Sequence, residues 1–154
     1  MTVDVRATDL VGNVSNLTFE EFNWDSVPPI TTITVPSGAY MASVPSVVGY
    51  ANDPLDVSET GLGGLDSSVK AVQVGSRNNS LSPGRWWDGS AFTLLDAAHA
   101  GGAGWFNAPV GVEVTTADWS HATATVSFVT GNEFSINARA VDFANNVSAP
   151  VASF

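Results

Sequence analysis

The chain has 154 residues, with 5 Lys and Arg against 15 Asp and Glu, a formal charge of −10 and a pI near 4.1. That balance excludes a nucleic-acid partner and disfavours anionic membrane surfaces. The absence of cysteine excludes disulfides, thiolate metal sites and a cysteine nucleophile, and no apolar run is long enough to span a bilayer.

Residues 2–15 read TVDVRATDLVGNVS. Val3, Val5 and Ala7 alternate with Asp4, Arg6 and Thr8, the period of a strand with one buried and one wet face. A tight turn over Asp9–Asn13 returns the chain, which makes residues 1–20 a hairpin. Residues 21–29 form an acidic linker that ends at Pro28-Pro29, a stiff pair. There is no basic leader followed by an apolar stretch, so any export signal would have been removed or would lie upstream in a longer parent.

Residues 30–154 are expected to form one domain. Ile30–Val35 predicts an edge strand, ended by Pro36, and Val47–Ala51 a second strand. A loop rich in Gly, Asp and Ser then runs from Asn52 to Ser68, before a third strand at Val69–Gly75. Arg85–Trp87 and Ser90–Phe92 flank Asp88-Gly89, the pattern of a two-residue hairpin. Leu94–Ala100 is the one helical candidate, closed by Gly101-Gly102. Gly104–Phe106 and Val110–Val114 read as short strands, and Ala122–Val129 as a longer one because its apolar residues alternate. Gly131-Asn132 turns the chain into Phe134–Val141, and Val147–Ser153 closes the domain. Short strands separated by turn residues give an all-β chain.

The closing segment repeats the opening one. Residues 135–148 read SINARAVDFANNVS and align without gaps on residues 2–15, an offset of 133 residues that sets Asp9 against Asp142. Arg6, Ala7, Asp9, Asn13, Val14 and Ser15 recur as Arg139, Ala140, Asp142, Asn146, Val147 and Ser148. Gly12 aligns with Asn145, and these two residue types best tolerate positive φ. The N-terminal hairpin is therefore expected to be the closing hairpin of a preceding repeat, or an assembly arm.

The series Asp25, Pro28-Pro29, Ile33-Thr34, Pro36, then Trp87-Asp88-Gly89 and Phe92, Trp119, and the ending Phe134, Ala138-Arg139-Ala140, Asp142, Asn146 resembles tandem bacterial immunoglobulin-like repeats of large surface adhesins and secreted multidomain proteins. The similarity covers most of residues 25–150. Asn145 departs from the usual Gly, and the loops over 52–68 and 94–118 are long. The resemblance implies an immunoglobulin-like antiparallel β-sandwich of about seven to nine strands. It also implies export to the bacterial surface and head-to-tail repetition, and it implies no particular ligand.

Two sets of residues could carry chemistry. Asp9, Asn13, Asp25, Asp53, Asp142 and Asn146 are candidate oxygen ligands for Ca²⁺, which takes six to eight oxygens at about 2.4 Å. The last hairpin and the loop after the second strand can meet beside the linker, with Glu20, Glu21, Asn52, Asp56 and Asp66 nearby in sequence. The competing reading has Asp9 and Asp142 capping their own turns, with the other acids solvated. Trp86, Trp87 and Trp105 are candidates for stacking on a glycan, against the alternative that they pack the core, as large aromatics do in sandwiches. Adjacent strand residues point to opposite faces, so at most one of Trp86 and Trp87 belongs to the core, and the other is exposed or covered by a loop.

No His-Glu-x-x-His, Gly-x-Ser-x-Gly or phosphate-loop pattern is present, and the two histidines, His99 and His121, lie in none. The expectation is a non-enzymatic spacer or adhesive module. The alternatives are a carbohydrate-binding accessory module and a filament subunit joined through the N-terminal hairpin.

Overall fold

The computed structural model describes residues 2–21, 25–54, 68–110 and 116–153. Those residues form an all-β fold of antiparallel strands with one short helix among them. β1 (Thr2–Val5) and β2 (Thr18–Glu21) pair as a separate two-stranded sheet. The remaining strands make a sandwich. One sheet holds β3 (Ile30–Val35), β4 (Ser46–Asn52) and β9 (Thr116–Ala122), in the order β3-β4-β9.

The other sheet runs β11-β10-β5-β6-β7, from β11 (Val151–Ser153) and β10 (Phe134–Asp142) through β5 (Val69–Asn78) to β6 (Arg85–Trp87) and β7 (Phe92–Leu94). β8 (Phe106–Ala108) pairs with Val72–Val74 in the middle of β5, and β6 with its last residues. α1 (Asp96–Ala100) follows β7.

The inner faces meet in a core of Val47, Ala51, Val69, Val72, Val74, Ala108, Trp119, Ile136, Ala138 and Ala140, with Ile33, Phe128 and Val151 packed against it. Alternation is clearest in β4, β9 and β10. In β10, Ile136, Ala138 and Ala140 are buried, while Asn137, Arg139 and Val141 keep partial exposure. Thr31 is buried on edge strand β3 and satisfies its hydroxyl on the Tyr50 carbonyl, 3.2 Å away.

Three expectations need correction. The strand predicted at Ala122–Val129 lies earlier, at Thr116–Ala122, where Ala117 and Trp119 point inward. The chain leaves the sheet at Thr123 because that residue bonds back to the strand's approach. Its amide donates to the Pro45 carbonyl and its hydroxyl to the Val44 carbonyl, and a turn follows with Val126 N donating to Thr123 O at 2.8 Å. Second, the Asp88-Gly89 connection is longer than two residues, since β7 begins at Phe92 and Asp88 N donates to the Ala91 carbonyl. The Asp88 carboxylate organises that loop by accepting from the Ser90 and Ala91 amides and the Ser90 and Thr93 hydroxyls. Third, Gly104–Phe106 is displaced to Phe106–Ala108. Most of the Val110–Val114 expectation, and Asp56 and Asp66, lie outside the described residues.

Candidate functional site

Three aspartates from different segments meet at one end of the sandwich. Asp25 belongs to the linker that leads into β3. Asp53 directly follows β4, and because Ile30 pairs with Asn52, the end of β4 lies beside that linker. Asp142 is the last residue of β10, at a register shift opposite Val69. Their carboxylate oxygens come within 4.8 Å of one another, and Asp53 and Asp142 are fully buried.

Each acid is held in place by its local fold. Asp142 accepts from the Asn146 amide at 2.8 Å and from the Asn146 side-chain Nδ2 at 2.9 Å. The same Nδ2 donates to the Asp25 carbonyl at 3.1 Å, so one asparagine joins the closing turn to the linker. Asp25 Oδ1 accepts from Val27 N at 2.9 Å, an Asx turn that aims the other oxygen away from the backbone. That oxygen, Oδ2, is sealed from solvent and takes no hydrogen bond from any described residue.

Carboxylates at this spacing repel by roughly 3 kcal/mol per pair even at an effective dielectric of about 20. Among the described residues the single salt bridge is Arg77–Asp96, 3.1 Å, and the β5–β10 register puts Arg77 at the opposite end of the sheet from Asp142. A buried oxygen without a donor, in a set made only of carboxylates, fits a hard cation and not a soft metal. Asp25, Asp53 and Asp142 would hold such an ion. It would supply charge neutralisation and a three-way tie between the linker, the end of β4 and the end of β10.

Of the six residues expected to bind Ca²⁺, the structure thus brings together Asp25, Asp53 and Asp142, with Asn146 bracing two of them. Asp9 and Asn13 stand apart in the β1–β2 hairpin, exposed, where Asp9 accepts from Asn13 N at 2.9 Å and Asn13 Nδ2 at 2.8 Å. Those bonds hold the Asp9 carboxyl below its usual range, the Asn13 side chain contributing most. Asp9 caps its own turn, as the competing reading had it. Asp142 caps its turn too and also faces the other two acids.

Of the aromatic candidates, Trp105 is half-buried. Trp86 and Trp87 are both buried. α1 folds over the outer side of Trp86 and stacks His99 on it, with ring centroids 3.4 Å apart and planes 9° from parallel. His99 also stacks on Trp105 at 4.4 Å, and the Arg139 guanidinium lies 4.3 Å from the Trp105 ring. The space between Trp86 and Trp105 where a sugar ring would slide is therefore filled by imidazole. Trp86 Nε1 donates to Asp96 at 2.8 Å, and Arg77 binds both Asp96 oxygens. Trp87 faces inward against Phe92, edge to face at 5.2 Å.

His99 is a residue whose role the sequence did not signal. Its Nδ1 lies 2.9 Å from the Ala103 carbonyl, while its Nε2 is buried without a partner, and burial pushes its pKa down. A histidine downstream of a Trp-Trp pair is too common to single out; only the return of α1 over β6 places it between two indoles. A second imidazole, that of the half-buried His121, lines a cavity of about 110 Å³ with Val74, Ser76, Trp87 and Phe106.

No protein-family model, no curated protein and no solved structure matches the chain.

Proposed function

We propose that the chain is a non-catalytic structural or adhesive repeat module of an extracellular bacterial protein. Its immunoglobulin-like sandwich acts as a spacer or cell-surface stalk, and Ca²⁺ held by Asp25, Asp53 and Asp142 stiffens its joint. The carboxylate cluster carries this reading, because one of its members lies in the linker, one directly follows β4 and one ends β10. An ion there would tie the linker at Asp25 to the ends of β4 and β10, and a fixed joint is the mechanical property a stalk requires. Extracellular modules use Ca²⁺ sites with Kd of about 10⁻⁴–10⁻³ M, an affinity suited to the outside of a cell.

The test is calorimetric titration of the chelated full chain with Ca²⁺ and with Mg²⁺, paired with thermal unfolding. One Ca²⁺ per chain is expected. At a hundredfold excess over Kd the stabilisation is about 2.7 kcal/mol, which corresponds to a Tm rise of roughly 5–10 °C for a chain of this size. Absence of saturable binding together with an unchanged Tm removes the cation from the function.

A further inference from the structure

The two copies of the repeated segment have one backbone structure and opposite environments. At the 133-residue offset the strand pairs Val3–Glu20, Asp4–Phe19 and Val5–Thr18 correspond residue for residue to Ile136–Ser153, Asn137–Ala152 and Ala138–Val151. The isolated bridge Thr8–Val14 corresponds to Val141–Val147. Ser15 N donates to Ala7 O at 2.9 Å and Ser148 N to Ala140 O at 2.9 Å, while Ala7 N and Ala140 N donate to the Ser15 and Ser148 hydroxyls at 3.0 and 2.8 Å. The Asp9–Asn13 clasp repeats the Asp142–Asn146 clasp, and Gly12 and Asn145 both take positive φ, +90° and +68°. The equivalence extends through β2, beyond the fourteen residues in which the sequences are visibly alike.

Burial separates the copies. Ile136 and Ala138 are 3% and 0% exposed, whereas their counterparts Val3 and Val5 are 50% and 61% exposed. Ala140, Asp142 and Ser148 are buried; Ala7, Asp9 and Ser15 are exposed. In the sandwich this apolar face is covered by the opposing sheet, and the strand's edge pairs with β5. The N-terminal hairpin cannot take that place in its own sandwich, because β10 already holds it. A lone two-stranded hairpin is marginal in water, so the face calls for a partner.

We infer that the β1–β2 hairpin is the closing strand pair of a second sandwich of the same architecture, one that precedes it in the same polypeptide. Val3, Val5 and Ala7 complete that unit's core, and β1 pairs with its β5 equivalent. Asp9 takes the position of Asp142 beside that unit's own counterparts of Asp25 and Asp53. The cation at this second joint rests on the reading proposed above; the docking of the hairpin does not.

The experiment is a seamless two-unit chain, residues 1–133 followed directly by residues 1–154, since Met1 stands where Phe134 does at this offset. A comparison chain, residues 1–153 followed by 22–154, lets the upstream sandwich keep its own closing strands. The fusion is expected to show both sandwiches folded. Amide exchange at Val3 and Val5 of the downstream copy should slow on the order of 10³-fold or more relative to the native chain, because opening then requires unfolding of the upstream unit. Val5 is larger than Ala138, so a second fusion carries Val5→Ala at the junction hairpin. One folded sandwich in both fusions, with two in the comparison chain, overturns the inference.

Light scattering on the native chain guards the choice of partner. Oligomers that vanish when residues 2–21 are deleted would mean exchange between separate copies, and would overturn the tandem arrangement. Two folded sandwiches without Ca²⁺ binding would sustain the docking and sink only the cation.

Discussion

The indole of Trp119 lies over the backbone of Gly49, its partner across the β4–β9 ladder, and occupies the space that a side chain at position 49 would need. A Cβ on Gly49 would fall 2.4 Å from the Trp119 ring and 1.9 Å from the Thr32 carbonyl, and backbone on that side cannot yield. Trp119 is the largest fully buried side chain in the core, so position 49 admits no side chain unless this indole or the β3 backbone is displaced. Gly49→Ala is expected to cost about 3 kcal/mol, at the upper end for overpacking. Urea unfolding reads it directly, and a loss below about 1 kcal/mol would show that the sheet yields more easily than this packing implies.

The aspartate cluster predicts a reversal of sign. Asp53→Asn removes one of three mutually repelling charges, so with chelator present the variant is expected to unfold at a higher temperature than the parent. With saturating Ca²⁺ the order inverts, because the parent gains the ion and the variant does not. Thermal unfolding of both proteins in the two conditions settles it. A variant less stable than the parent in both would mean that Asp53 serves the fold and not an ion.

Burial lowers the pKa of His99 and of His121 below the ordinary histidine value of 6.5. The sign follows from proton counting: above pH 6.5 both states are neutral and stability is full. As the pH falls below 6.5 the unfolded chain takes up protons first, so stability declines until the lowered folded pKa values are reached. Around His99 the charged neighbours are Arg139, which opposes protonation, and Asp96, which favours it. His99→Phe keeps a ring between Trp86 and Trp105 and should reduce the slope of stability between pH 7 and 5, and His121→Phe in addition should flatten it further. An unchanged slope in the double variant would count against imidazole titration. Asp88 and Asp96, held low by hydrogen bonds from Thr93 and from Arg77, act in a separate window below pH 3.8.

Burial of the tryptophans makes them structural. Trp86→Ala and Trp87→Ala are each expected to destabilise the sandwich by about 3–5 kcal/mol, and Trp86→Ala also removes one hydrogen bond to Asp96 and uncovers one face of His99. Glycan-array binding by the parent that was lost in a folded Trp105→Ala variant would revive a carbohydrate role for that half-buried ring.

Much of the fold was legible because strand alternation is a local property. Alternation predicts Ile30–Val35 with its observed bounds and edge position, and it places strands at 47–51, 69–75 and 134–141 inside the observed ones. The Ala122–Val129 expectation failed because alternation of small and hydroxylated residues does not say whether a sheet partner exists. Thr116–Ala122 alternates just as well once Ala117, Trp119 and His121 are counted as inward, and it has β4 beside it.

The repeat at Asp9 and Asp142 was also visible in the chain itself, since each turn is closed by residues within five positions of one another and needs nothing distant. Tertiary structure alone decided which copy is buried and which acids meet. Asp25, Asp53 and Asp142 are brought together by the β3–β4 register and by the end of β10, contacts between residues as far apart as 121 positions, such as Asn146 to Asp25. Sequence determines local hydrogen-bond frames through short-range geometry. Long-range pairing, which no local pattern encodes, turned one of two identical frames into a candidate cation site and left the other on the surface.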